Sequence, residues 1–181
     1  HQKDCLLFGI CGGFQMLGNL ISDPHHVEDG GSLRGMGLLD METTFQTQKH
    51  RQQVQGSICA ISGILQPLSG FEVSGYEIHM GETITNSAIP FTKREDGTCN
   101  GYCNPDGNVY GTYLHGIFDT TETTACLIQQ LVCRKGLEHT VTALDLQQEK
   151  EQQYDMLADT LRKHLDMEQI YRIVNEWECH A

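Results

Sequence analysis

The sequence predicts an α/β fold in which a sheet is flanked by helices and followed by a helical tail. Three observations lead to this prediction. A buried apolar run, a glycine-rich turn and a helical pattern follow one another at the start of the chain, strand-like segments fill its middle, and helical spacing occupies residues 121–181. At 181 residues the chain has the length of a single domain.

The first predicted elements are a strand over residues 5–10 and a helix over residues 14–21. The run before Gly9 is continuously apolar, which is typical of a buried strand in a parallel sheet. Apolar residues at helical spacing predict the helix. Residues 22–37 are polar and glycine-rich without periodicity, so we expect an exposed loop there.

The middle of the chain is strand-like. Three segments, LLDMETTF, QVQGSICAI and FEVSGYEIHM, lie within residues 38–85 and are separated by turn residues. Residues 101–103 and 109–114 flank an Asn-Pro-Asp-Gly sequence, which predicts a β-hairpin.

The last third is predicted to be helical. One helix spans residues 121–135 and ends at Gly136, a second runs from about 145 to 165, and a third carries the apolar stripe from Ile170 to Trp177.

Composition and charge exclude several classes of function. The chain has 12 basic and 24 acidic residues, a net charge of -12, which disfavours binding to nucleic acid or to an anionic membrane. No apolar run is long enough to span a bilayer. The eight cysteines lie mostly within apolar patterns, which favours reduced thiols. We therefore expect a soluble, cytoplasmic protein.

The segment Gly9-Ile10-Cys11-Gly12-Gly13 carries the clearest chemical signal. It matches the G-x-nucleophile-x-G elbow at a strand-to-helix turn, where residues without Cβ atoms let the backbone pass closely. The N-terminus of the following helix would stabilise a thiolate at Cys11, and the Gly12 N–H would donate to an oxyanion. The alternative is a buried structural cysteine.

A nucleophilic cysteine needs a proton-transfer partner, and His115 is the best candidate. It follows the strand-like VYGTYL, at the carboxyl end of a strand, where sites in open α/β sheets collect. His79, also at a strand end, is the second candidate, although a structural or surface role is the simpler interpretation. Five other histidines, in the polar loop and the helical tail, are expected to be solvated: His25, His26, His139, His164 and His180.

Signals for a metal or nucleotide site are weak. Cys99 and Cys103 have zinc-like spacing, but no second pair follows, so no metal site is predicted. The chain has neither a P-loop nor a G-x-G-x-x-G motif. We expect no ATP or dinucleotide to bind to this chain.

The motifs GICGGFQMLG, GMGLLDMETTF, SGYEIHMGET and GTYLHGIFD together resemble the glutamine amidotransferase domains of cobyric acid synthases. The resemblance implies a class I amidotransferase-like sheet with Cys11 as nucleophile and His115 as its partner. It also implies a substrate pocket that includes Gly12, Gln15 and His79.

One position departs from the usual class I pattern. Most such enzymes carry a Glu two residues after the histidine, and here Ile117 occupies that position, which implies a Cys-His dyad. Asp119 or Glu77 could orient His115, although a turn or solvated role is the simpler expectation for each.

The resemblance also implies partners. In the family, strands and a loop that supplies a second oxyanion donor precede the elbow strand, and an ATP-dependent synthetase domain precedes those. We therefore expect a partial amidotransferase domain over residues 1–181 that lacks its N-terminal strands and self-associates through its uncovered sheet. L-Glutamine would be its substrate. ATP and magnesium would bind only to the synthetase domain, which would amidate a corrinoid acceptor.

Two alternatives remain open from the sequence. The chain could be the glutaminase part of a related ligase, such as cobyrinic acid a,c-diamide synthase or an amidase of a cell-wall precursor. It could also be a non-catalytic fragment that keeps the elbow only as structure.

Overall fold

A computed structural model describes residues 5–138 and 146–178 of the chain. It divides into two compact units, His1–Ala143 and Leu144–Ala181. The first unit contains the sheet with its flanking helices. The second contains two helices, and each unit is described by itself below.

Within its described residues, the first unit is built on a mixed sheet of eight strands. In spatial order the strands run β1, β8, β7, β6, β4, β2, β3, with β5 paired to β4. The β1–β8 and β2–β4 pairs are parallel and the other pairs are antiparallel. The strands are β1 (Leu7–Ile10), β2 (Leu20–Asp23), β3 (Gly31–Arg34), β4 (Met41–Ile58), β5 (Glu72–Thr85), β6 (Ile89–Arg94), β7 (Cys99–Cys103) and β8 (Val109–Thr112).

Helices cover parts of this sheet and form the second unit. The first unit contains α1 (Gly12–Met16), a short 3-10 helix (Gln66–Leu68) and α2 (Thr121–Arg134). The second contains α3 (Leu146–His164) and α4 (Met167–Glu178). No helix in the described ranges is both long enough and apolar enough to cross a membrane.

Several predicted elements are confirmed. The strand before the elbow is β1, and β7 and β8 form the predicted hairpin. Helix α2 begins after Thr120, whose hydroxyl accepts a hydrogen bond from the Thr123 N–H, and it is followed by Gly136 at φ 65°. The predicted start of the second tail helix, at residue 145, lies outside the described residues.

The predicted helix over residues 14–21 is wrong in its second half. Helix α1 ends at Met16, and β2 begins four residues later at Leu20. Phe14 and Leu17 are buried as their spacing suggests, but the next residues pair in parallel with β4. Sheet pairing therefore overrides the helical pattern.

Two further predictions need correction. Residues 22–37 are not a plain loop, because β3 turns back and pairs with β2. The first two predicted strands of the middle region are one strand, β4, whose register to β5 shifts between Phe45 and His50. Such an irregularity bends a long strand without ending it.

Two apolar clusters hold the first unit together. One contains Leu65 and Leu68 around the 3-10 helix, together with Phe91 and Tyr110 of the sheet. The other packs Phe14 of α1 and neighbouring residues against the sheet. The second cluster fixes α1, and with it the turn that precedes α1.

Candidate active site

Cys11 occupies the turn between β1 and α1, as the elbow pattern predicts. Its backbone has φ 54° and ψ -115°, and His26 is the only other non-glycine residue with positive φ in the described ranges. Such a conformation costs a non-glycine residue about 1–3 kcal/mol and is typical of functional sites. The strained turn agrees with the elbow pattern, and the role of Cys11 as nucleophile stays a prediction.

The flanking glycines have different roles. A Cβ on Gly9 would lie 2.7 Å from the Gly13 carbonyl oxygen, so the close approach requires glycine at this position. A Cβ on Gly12 or Gly13 would meet no heavy atom within 4 Å. The expectation that every neighbour must lack a Cβ is correct only for Gly9.

The helix after Cys11 is shorter than predicted. Helix α1 has five residues, so fewer peptide dipoles align behind the thiol than the sequence suggested. The Cys11 Sγ is partly buried and lies 3.4 Å from the carbonyl oxygen of Ile78 in β5. The thiol is therefore held against β5 at the end of the sheet.

His115 follows the strand beside Cys11. Strands β1 and β8 are parallel neighbours with Ile10 opposite Thr112, and the Cys11 N–H donates to the Thr112 carbonyl at 3.0 Å. Cys11 and His115 thus follow the carboxyl ends of adjacent parallel strands, as predicted for sites in α/β sheets. Among the described residues, the buried Nε2 of His115 has no hydrogen-bond partner.

Strand β5 contacts both candidate residues. The Tyr76 N–H donates to the His115 carbonyl at 3.2 Å, and the His115 N–H donates to the Tyr76 carbonyl at 2.8 Å. The two rings stack with centroids 4.8 Å apart. A Cβ on Gly75 would lie 1.9 Å from the His115 carbonyl oxygen, so this contact requires a glycine in β5. The carbonyl of Ile78, two residues after Tyr76, contacts the Cys11 thiol.

Gln15 and His79 meet through Tyr113. The Gln15 amide donates to the Tyr113 hydroxyl at 3.3 Å, and the His79 ring stacks on the Tyr113 ring at 3.8 Å. His79 Nδ1 lies 2.8 Å from the Gly81 carbonyl oxygen. Both side chains are buried in this cluster. Their assignment to the substrate pocket, like that of the exposed Gly12, stays a prediction.

Glu77 is fully buried, so the expectation of a turn or solvated role is wrong. Its carboxylate forms an ion pair with Arg94 and accepts a hydrogen bond from Asn100 at 2.5 Å. Burial by itself would raise its pKa, but the His79 imidazole, Arg94 and Asn100 outweigh burial and bring the pKa of Glu77 down to about 2. The Glu77 carboxylate is therefore ionised at neutral pH and bound within this network.

We expect Glu77→Gln to destabilise the domain by about 3 kcal/mol at neutral pH, the equivalent of a pKa lowered from 4.5 to about 2. Because the folded pKa is the lower one, this stabilisation is complete above pH 4.5 and is lost as the pH falls toward 2. Urea unfolding between pH 7 and pH 2.5, followed by circular dichroism, measures it.

The variant should show a smaller loss of stability on acidification than the wild type. Glu82→Gln removes an exposed carboxylate from the same strand and serves as the control. Equal pH dependence in wild type and Glu77→Gln would contradict the assignment of the buried charge.

Ile117 and Asp119, which follow the His115–Gly116 turn, differ in burial. Ile117 is only 1% exposed and belongs to the apolar core, so a carboxylate at this position would have no place in this packing. Asp119 is exposed, and its N–H donates to the Gly116 carbonyl at 2.8 Å, which agrees with a turn role. An orienting role of Asp119 stays a prediction.

A cavity of about 510 Å³ lies beside the candidate residues. Tyr76 and Ile78 line it together with Arg51 and its neighbours in β4. A larger cavity of about 820 Å³ is lined by strand residues and the start of α2, but by none of the predicted site residues. None of the predicted site residues lines the smaller cavity either, but its Tyr76 stacks on His115 and its Ile78 carbonyl contacts the Cys11 thiol, which makes it the better candidate for a substrate site.

The sequence interpretation missed three residues of this site: Tyr76, Ile78 and Tyr113. All three lie in motifs that carried the resemblance, GYEIHMG and GTYLHGIFD. Alternation along GYEIHMG places Tyr76 and Ile78 on one face of β5 and Glu77 on the other, which is a readable signal. Their partners could not be read, because these depend on the pairing of distant strands.

Comparison with known proteins decides the family. Residues 1–123 match the CobB/CobQ-like glutamine amidotransferase domain. The chain belongs to this family. The family assignment agrees with the elbow cysteine at the end of β1, and it makes the chain a glutamine amidotransferase domain.

Curated relatives are cobyric acid synthases. The chain is 43% identical over 189 residues to that of Lachnoclostridium phytofermentans, covering 97% of the chain and 37% of the relative. It is 44% identical over 182 residues to that of Citrobacter koseri, covering 97% and 36%. The chain thus spans about a third of the length of these relatives.

A weaker structural likeness is to PurLQS from Thermotoga maritima. The TM-score is 0.48 at 17% identity, over 70% of this chain and 62% of that chain.

Proposed function

We propose that this chain is the glutaminase domain of a cobyric acid synthase and that Cys11 and His115 perform the hydrolysis. The observation that carries the proposal is the strained elbow at Cys11, next to the strand that leads to His115. The identity to cobyric acid synthases supports the choice of enzyme.

The proposed reaction begins with attack of the Cys11 thiolate on the side-chain carboxamide carbon of glutamine. The Gly12 N–H donates to the tetrahedral oxyanion. His115, which has taken the thiol proton, returns it to the departing nitrogen, so that ammonia leaves and a γ-glutamyl thioester remains. Water, deprotonated by His115, then releases glutamate and restores the thiol.

The unpartnered Nε2 of His115 supports this role. A buried ring nitrogen without a hydrogen bond is costly unless the site uses it, and proton transfer to the substrate would use it. The Nε2 of His79 also has no hydrogen bond, but it lies 3.6 Å from the buried Glu77 carboxylate, which accounts for it without a catalytic role. The nearby 510 Å³ cavity is large enough for glutamine, and Arg51 in its wall suits the α-carboxylate. We place the substrate there.

In the complete protein the ammonia would reach an ATP-dependent synthetase domain. That domain, and not this chain, would bind ATP and magnesium and activate carboxylates of adenosylcobyrinic acid a,c-diamide for amidation. The reaction belongs to cobalamin biosynthesis, and we expect it in the cytoplasm. The runner-up function is the glutaminase domain of a related ligase, because the family also includes CobB-like domains.

Covalent labelling tests the nucleophile. Diazo-oxo-norleucine, an electrophilic glutamine analogue, should alkylate Cys11 in the complete protein, and glutamine should protect against it. Burial raises the pKa of Cys59 and Cys126, and brings the pKa of Cys103 to about 11, which reduces their thiolate fractions. Peptide mapping locates the label.

The exposed Cys133 is the internal control for simple accessibility. Iodoacetamide should modify it readily, whereas the glutamine analogue should not. Label spread over Cys59, Cys126 and Cys133 with Cys11 spared would remove Cys11 as the nucleophile.

A further inference from the structure

His115 needs an element that fixes the plane of its ring. Rotation about the last torsion of a histidine side chain is loosely restricted, so a catalytic imidazole depends on its neighbours for orientation. The carboxylate that would do this two residues downstream is replaced by Ile117 in the core. Glu77, the buried acid of β5, is engaged by Arg94 and Asn100.

Tyr76 is the aromatic neighbour of this ring. The two ring planes are parallel, at an interplanar angle of 0°, with centroids 4.8 Å apart. Reciprocal backbone hydrogen bonds between Tyr76 and His115 fix the distance between the two residues. Stacked aromatic rings attract each other beyond the effect of their buried area, so this contact favours the parallel orientation of the imidazole.

The strand that carries Tyr76 is anchored from its other face. Side chains alternate along β5, so Glu77 points away from Tyr76 and into its buried network with Arg94. The adjacent Gly75 permits the close backbone contact with His115. Tyr76 is therefore presented by a backbone that is fixed on both sides.

We propose that Tyr76 is a positioning residue that holds the His115 imidazole in its reactive orientation by ring stacking. The inference rests on the proposed function, since it assigns an orienting role in the same site; it does not exclude an additional orienting role of Asp119. Stacking fixes the plane of the ring without adding a negative charge and leaves the buried Nε2 available to the substrate.

Three variants of the complete protein test this role. Tyr76→Ala removes the stacked ring, Tyr76→Phe keeps the ring and removes only the hydroxyl, and Ile84→Ala changes another exposed apolar residue of β5. Tyr76 is 43% exposed and Ile84 is 66% exposed, so neither truncation leaves a cavity in the hydrophobic core. Glutamate release and ammonia-dependent amidation are measured for each.

We expect Tyr76→Ala to lower kcat for glutamate release by about 10- to 100-fold, the effect of a misplaced catalytic group. Tyr76→Phe should recover most of the rate, and ammonia-dependent amidation should be unchanged. A crystal structure of Tyr76→Ala should show the His115 ring in more than one orientation, which is a readout independent of activity.

Three results would overturn the inference. One is an unchanged kcat in Tyr76→Ala, including the case in which only KM rises. Another is equal loss in the Phe and Ala variants, which would assign the effect to the hydroxyl. The third is a single unchanged His115 orientation in Tyr76→Ala. Wild type and Cys11→Ala are assayed in parallel, so glutamate release that does not depend on Cys11 would refute the proposed function instead.

Discussion

On the proposed function, Cys11→Ala is expected to abolish glutamine-dependent amidation in the complete protein and to leave ammonia-dependent amidation intact. We expect a loss on the order of 10⁴-fold or more, because no other group can form the thioester. Free ammonia would bypass this step and enter the proposed synthetase reaction directly. Initial rates with each nitrogen donor provide the measurement.

Substitution by alanine tests the thiol alone when the variant is compared with the wild type. Both cysteine and alanine carry a Cβ at the strained φ of 54°, so the substitution removes the thiol without changing the backbone requirement. Cys133→Ala, at an exposed helix position, is the matched control. Persistence of glutamine-dependent turnover in Cys11→Ala would disprove the nucleophile assignment.

We expect His115→Ala to lower glutamine-dependent turnover by about 10²- to 10⁴-fold, the contribution of a general acid–base group. Its buried Nε2 is the ring atom that would carry the proton, and ammonia-dependent amidation does not use it. We therefore expect a selective loss. The two activities measured on the same preparation distinguish this loss from unfolding.

His79→Ala is the matched comparison. His79 stacks on Tyr113 and lies near the Glu77 carboxylate, so its removal should affect stability and both activities together. If His79→Ala instead showed the selective loss and His115→Ala did not, the roles of the two histidines would be reversed.

The sequence predicts those parts of the site that depend on the order of neighbouring elements along the chain. Cys11 is recognisable because strand, glycine turn and helix are consecutive in the chain. His115 is recognisable because it follows a strand. The contacts of Tyr76 and Glu77 depend on which strands pair, and pairing is a property of the whole sheet. The residue pattern of β5 shows which side chains share a face of the strand, but not which residues of other strands they contact.

The errors in the prediction of the fold have the same origin, namely contacts with distant residues. Residues 14–21 have helical spacing, yet the second half of this segment becomes β2 because β4 is available as a neighbour. Glu77 is expected in solvent because carboxylates are rarely buried, and Arg94 supplies the partner that allows burial. In both cases distant residues outweigh local preference.

The contact of Cys11 with β5 has a consequence for how activity arises during folding. The Cys11 thiol and the Ile78 carbonyl that it touches are 67 residues apart in sequence. Contacts between residues so far apart in sequence are expected to form late, after local hairpins such as β7–β8. A chain with only its hairpins and helices would thus contain the cysteine and the histidine but no assembled site. Glutaminase activity would therefore report completion of the sheet, so its recovery after dilution from denaturant would follow the slowest strand pairing.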